Sequence, residues 1–223
     1  MSGLANFQPD GQALRYFGVY PALVTDLVDP DSLGRIELKF PWLGDAGADV
    51  RAWATLLTPY ADADQGFQML PEVDSQVVVA FEAGQLERPY IVGACWNGTA
   101  SLPDTPSAAN NKRLIKTRSG SVLEFDDTEG APKITVKTNG GHKLILDDGA
   151  MEVTLEHSNG CLLKMNAGGQ VTITANSTVE VNAAAVNVHA ATATFDGIVN
   201  CQTLIANTGV VSPSYTPGAG NIW

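Results

Sequence analysis

From Met165 to Trp223 the chain carries no Lys or Arg, and Glu180 and Asp196 are its only acidic residues there. Within this stretch apolar and polar residues alternate: Val171-Thr172-Ile173-Thr174-Ala175, Val179-Glu180-Val181-Asn182-Ala183, Val186-Asn187-Val188-His189-Ala190 and Ala193-Thr194-Phe195-Asp196-Gly197. A period of two is the pattern of strands with one buried face. The segments start at 171, 179, 186 and 193, a spacing of seven or eight residues, so only two or three residues connect them. A chain so patterned must zigzag or coil into something long and narrow.

Such a ribbon has one apolar face, made by Val171, Ile173, Val179, Val181, Val186 and Val188, and no second layer in the same chain to cover it. Each of these side chains contributes about 1.5–3 kcal/mol when fully buried. Left bare, the row would be a long patch that invites aggregation. Burial by further copies of the chain about a common axis resolves this, so a homo-oligomer is expected with these six residues as its core. The burial argument does not set the number of copies.

The preceding residues show a different periodicity. Lys116-Thr117-Arg118-Ser119-Gly120 through Phe125-Asp126-Asp127 is echoed 21 residues later by Lys137-Thr138-Asn139-Gly140-Gly141 through Leu146-Asp147-Asp148. A fainter copy runs from Ser158 to Asn166. Fixed-period self-similarity with β-alternation predicts a β-helix or solenoid over 113–207. Upstream, 18–97 holds short strand candidates at Val19–Val28, Gly34–Phe40, Arg51–Leu57, Phe67–Leu70, Gln76–Phe81 and Tyr90–Ala94. Turn signals such as Asp29-Pro30-Asp31 and the polar loop Ala61 to Gly66 separate them. Five strands in about 80 residues suit a small closed barrel of the OB type. Residues 1–17 read as an arm, 98–112 as a Pro/Ser/Asn-rich linker and 208–223 as a tip.

Composition narrows the function. The net charge of −11 disfavours nucleic acid, whose phosphates need Lys/Arg clusters. No apolar run reaches the length of a membrane-spanning helix, and residues 1–10 have neither the basic start nor the apolar core of a signal peptide. Synthesis and folding in a cytoplasm are expected. Cys95, Cys161 and Cys201 are odd in number and far apart, which suggests no disulfide framework and predicts small buried hydrophobes.

No P-loop, His-Glu-x-x-His or Gly-x-Ser-x-Gly motif occurs. The pairs Asp126-Asp127 and Asp147-Asp148 have the residue types of general acid/base carboxylates or Ca²⁺ ligands, yet recur at matched repeat positions and so are read as turn residues. His142 and His157 lie beside turns and His189 in the polar register, so no metal site and no cofactor are expected. Trp42, Trp53 and Trp96 are expected to pack in the barrel core or against a subunit rather than to stack bases.

The segments Gly34-Arg35-Ile36-Glu37-Leu38-Lys39-Phe40-Pro41-Trp42, Arg51 to Thr55, Gly66 to Phe81, Arg88 to Gly93 and Trp96-Asn97-Gly98 resemble the OB domain of the central spikes of contractile injection machines. That family includes phage baseplate assembly protein V and the valine-glycine repeat proteins of type VI secretion. The repeats at 116–127 and 137–148 are similar to the start of the β-helix in those spikes. The resemblance implies an all-β homotrimer: OB barrels around an axis, then an intertwined trimeric β-helix or β-prism. It implies a non-enzymatic, structural role, with a separate hub protein beneath the spike and an envelope pierced on sheath contraction. The His-x-His tip motif of some phage spikes is absent. Tyr215, Ile222 and Trp223 are the expected contacts for a tip or a PAAR-type cap, and the particle is a virion or phage-tail-like assembly. A β-helical polysaccharide-active enzyme is the alternative, and it would need clustered catalytic residues that the needle segment lacks.

Overall fold

The computed structural model describes residues 15–44 and 49–213. The chain divides into two compact units, 1–174 and 175–223. Strands β1 (Tyr20–Asp26), β2 (Ile36–Lys39), β3 (Arg51–Leu56), β6 (Gln76–Phe81) and β7 (Pro89–Ala94) close into a five-stranded barrel in the order β1-β2-β3-β7-β6. The pairs are antiparallel except β3 with β7, joined through Thr55↔Tyr90 and Leu56↔Ile91. Alternation fills the interior: Val77, Val79 and Phe81 from β6 meet Ala22 and Val24 from β1 and Ile36 and Leu38 from β2. An aromatic cluster of Tyr16, Tyr20, Phe40, Trp42 and Phe81 packs beside this core, with Tyr20 stacked on Trp42 at 4.7 Å between ring centres. The Trp42 indole N–H donates to the Pro21 carbonyl at 2.7 Å.

Five of the six strand candidates are present. The exception is Phe67–Leu70, which forms no strand; a two-rung hairpin of β4 (Ala61–Asp62) and β5 (Gln65–Gly66) stands in the segment read as a plain loop. The hairpin closes through Phe67 N–H donating to Tyr60 O, and the barrel is already complete without another strand. Phe67, Met69 and Leu70 therefore cross its outside, about half exposed.

Residues 112–174 form a seven-stranded antiparallel sheet in simple sequence order: β8 (Lys112–Lys116), β9 (Val122–Asp126), β10 (Lys133–Lys137), β11 (Lys143–Asp147), β12 (Glu152–Glu156), β13 (Leu162–Met165) and β14 (Val171–Thr174). The 21-residue repeat is thus one hairpin plus its return turn. Within this chain the expected coil is an antiparallel meander. Loops 117–121, 138–142 and 157–161 repeat one geometry: the first residue's carbonyl accepts from the fourth residue, Gly120, Gly141 or Gly160. These glycines hold φ near +91° to +92°, the left-handed step that lets a short loop reverse the chain.

In the second unit no strand forms among the described residues, although 179–183, 186–190 and 193–197 alternate like strands. The physical difference is in the connections. Gly169 is the last turn glycine of the meander, and none follows before Gly197, so 175–196 lacks the tight reversals that let neighbouring segments pair in one chain. Among the described residues no helix is long and apolar enough to cross a membrane.

Candidate assembly interface

The register of the meander aligns side chains into straight rows. One row runs Phe125–Ile134–Leu146–Val153–Met165–Val171. The next, two residues along each strand and so on the same face, runs Ile115–Leu123–Val136–Leu144–Leu155–Leu163–Ile173. Thirteen large apolar side chains share this face, and none is buried: Leu144 is 40% exposed, Leu155 54% and Ile173 64%. Among the described residues of the sheet's own unit, none covers them. A soluble monomer rarely leaves so continuous an apolar surface bare.

The opposite face is built for water. Lys112, Asp126, Lys133 and Asp147 alternate in sign across adjacent strands. Ion pairs brace the ladder at Lys143–Glu156 (3.2 Å), Lys164–Glu152 (2.8 Å) and Lys112–Glu124 (3.6 Å). Half-buried Leu114, Val122, Ile145 and Leu162 interrupt it singly. One face thus carries charge and the other contact area.

The expected core residues fall in two places. Val171 and Ile173 lie on β14 and end the two apolar rows. Val179, Val181, Val186 and Val188 belong to the second unit, where they are 58–71% exposed, and Phe195, Ile198, Leu204 and Ile205 are 70–98% exposed. The six are therefore not gathered in one hydrogen-bonded ladder within a chain. Sequence reasoning missed the larger part of the face, from Ile115 to Met165. Its signal was the alternation inside each repeat, which the charges of the facing rows obscure. Tyr215, Ile222 and Trp223 lie outside the described residues.

The acidic pairs serve turns. Asp126 accepts from the N–H and hydroxyl of Thr128, and these bonds hold its carboxyl below the usual carboxylate range. Asp147 accepts from the Ala150 N–H, and Asp127 pairs with Arg113 at 2.9 Å. Among the described residues no three His, Cys, Asp or Glu side chains converge as a metal-binding group. The cysteines are not buried as expected: Cys95 and Cys161 are half-buried and Cys201 is exposed. Trp53 lies under the Arg35 guanidinium at 5.9 Å, and Trp96 is 61% exposed. His189 is exposed.

The barrel and the sheet each match a known domain. Residues 20–96 match the model described as the type VI secretion system/phage-baseplate injector OB domain, and residues 133–193 match the phage baseplate V C-terminal trimerisation domain. Among curated proteins the chain is similar to the type VI secretion system spike protein VgrG3 of Vibrio cholerae, 24% identical over 111 residues, which are 47% of this chain and 11% of that protein. It is 25% identical over 111 residues to the actin cross-linking toxin VgrG1 of a second V. cholerae strain, covering 47% and 10%. To the type VI spike protein VgrG1a of Pseudomonas aeruginosa it is 22% identical over 134 residues, covering 55% and 21%. The chain thus spans only about a tenth to a fifth of the length of these relatives. With the injector OB domain and the trimerisation domain matched in order, the chain belongs to the baseplate spike family of phage and type VI injection machines.

Proposed function

We propose that the chain is the structural central spike of a contractile injection particle, acting as a homotrimer. The observation that carries this reading is the apolar face of the meander, thirteen aligned side chains that no described residue of their own unit covers. Three copies closing these faces about one axis would bury them, and the description of the matching domain as a trimerisation domain supports the number. Residues 175–207, which form no strand of their own, would then continue as an intertwined β-prism around a core of Val179, Val181, Val186 and Val188. The barrel is assigned to a hub protein. Its β1–β2 loop presents exposed Val28 and Leu33 on a fixed backbone, which supports docking there. The tip, with Tyr215, Ile222 and Trp223, is assigned to the target envelope and to a PAAR-type cap.

The role is mechanical. An interlocked prism transmits sheath contraction because any local opening must break backbone pairs in more than one chain at once. The subunits would fold in a cytoplasm and be built into a virion or phage-tail-like particle. Light scattering of the purified protein tests the assembly: a mass three times the 23.5 kDa chain is expected, and a stable monomer would overturn the reading.

A further inference from the structure

His142 and His157 stand opposite one another, one step beyond the last pair of β11 and β12, Lys143↔Glu156. Their rings lie 4.3 Å apart between centres, tilted by 52°. Both Nδ1 atoms accept backbone N–H groups of the same turn: Ser158 N–H donates to His142 (3.3 Å) and Asn159 N–H to His157 (3.2 Å). An imidazole accepts at Nδ1 only when neutral, with its proton on Nε2. The same tautomer leaves no lone pair at Nε2, so the pair is not arranged as a metal site.

The equivalent positions of the earlier turns use acceptors that do not titrate. In the first, Ser121 N–H donates to Thr117 Oγ1 and Asn139 N–H to Ser121 Oγ; in the second, His142 N–H donates to Thr138 Oγ1. The turn at 166–170 uses Asn166 Oδ1 for Gly168 and Gln170. Among these turns, only 157–161 has backbone N–H groups that donate to imidazoles; its other bonds, His157 N–H to Cys161 O, Gly160 N–H to His157 O and Cys161 N–H to Asn159 Oδ1, involve no titrating acceptor.

We infer that His142 and His157 form an acid-sensitive latch on the 157–161 turn. Protonating either ring converts its Nδ1 from acceptor to donor, facing another N–H; protonating both sets two positive charges against each other. The surroundings offer little relief. Thr138 and Cys161 flank the pair on its own face; on the opposite face the nearest charges are Lys137 and the Lys143–Glu156 pair, whose carboxylate is already engaged. Arg118, on the first turn, is bonded to Glu72. The latch is built within one chain, and its opening releases the Ser158 and Asn159 N–H groups while the turn's other bonds remain.

Amide hydrogen exchange at residue resolution on the full chain, corrected for intrinsic rates, tests this across about pH 8 to pH 5, the range over which imidazoles ordinarily charge. Protection at Ser158 and Asn159 is expected to fall about tenfold with acid, the worth of one lost hydrogen bond, while Ser121 and Asn139 keep theirs. The double variant His142→Ser, His157→Asn, which copies the acceptors of the neighbouring turns, is expected to hold protection at both pH values. Protection at Ser158 and Asn159 that does not change, or that changes equally at Ser121 and Asn139, would overturn the latch, and the wild-type comparison alone decides it if the variant fails to fold.

Discussion

The Arg35 guanidinium grips the Asp29 carboxylate in a fork, Nε to Oδ2 and Nη2 to Oδ1, both at 2.8 Å. The same carboxylate accepts the backbone N–H groups of Asp31, Leu33 and Arg35, so one side chain fixes most of the β1–β2 loop. Asp29 is only 8% exposed, whereas Leu33, which it holds, and Val28, whose N–H donates to Asp26, are exposed. A loop this well tied can present apolar groups without collapsing onto the barrel.

A pH dependence follows from that grip. The Arg35 hydrogen bonds hold the Asp29 carboxyl far below the usual carboxylate range. Because the folded state favours the charged form, the stabilisation is fully present above the unfolded carboxyl's value, about pH 4, and is lost as the pH falls below it. Thermal melts of wild type and Asp29→Asn should show the variant melting lower at pH 7, with the two curves converging toward pH 2. Parallel curves throughout that range would show that the carboxylate's charge contributes nothing. Arg35→Lys should itself melt lower than wild type at pH 7, since an ammonium keeps the charge but cannot make the bidentate contact.

Leu144 and Leu155, paired across β11 and β12, sit in the middle of the uncovered face. Replacing Leu144 by Glu places a charge in the proposed trimer core, where it would have no partner. Light scattering should show loss of the trimer. Thr154→Glu, on the charged face beside Lys164, should leave the mass unchanged. Equal behaviour of the two variants would mean that this face is not the interface.

The barrel core gives a prediction about stability alone. Phe40 is fully buried among Trp42, Phe81 and the β-strand aliphatics. Phe40→Ala should destabilise the barrel by about 3–5 kcal/mol, through lost transfer energy plus the cavity left behind. Urea unfolding followed by tryptophan emission measures this. A loss below about 1 kcal/mol would mean that the site collapses around the smaller side chain.

The barrel was legible because its strands obey alternation and its turns carry Asp, Pro and Gly: Gln76–Phe81 and Arg51–Leu56 stand almost where the pattern places them. Phe67–Leu70 misled because its apolar residues crowd together as in a strand, yet Pro71 follows and the barrel has no vacancy. The assembly face was legible only at its charge-free end. In β9 to β12 the same alternation exists, but Lys133, Asp147 and Glu152 on the facing rows give those strands the look of surface turns. The histidine pair was invisible for another reason. His142 and His157 are 15 residues apart in sequence, and only the hairpin register brings them together.

Close packing between consecutive turns yields the last prediction. A Cβ added at Gly149 would lie 2.7 Å from the Ala131 Cα, 3.0 Å from its Cβ and 3.1 Å from the Gly130 carbonyl oxygen. Two of these atoms are backbone, so no side-chain rotation relieves the clash, and the 127–132 and 148–151 turns must separate. Gly149→Ala should therefore cost about 1–3 kcal/mol, the range of overpacking in a well-packed site. Adding Ala131→Gly should not restore stability, because the nearest contact is to the Cα that remains. Gly93→Ala, on barrel strand β7 where nothing lies within 4 Å, should leave the melting temperature unchanged. Calorimetry on the three variants separates the outcomes: if Gly149→Ala melts with wild type, the two turns slide apart freely and the edge of the sheet is softer than its hydrogen bonds suggest.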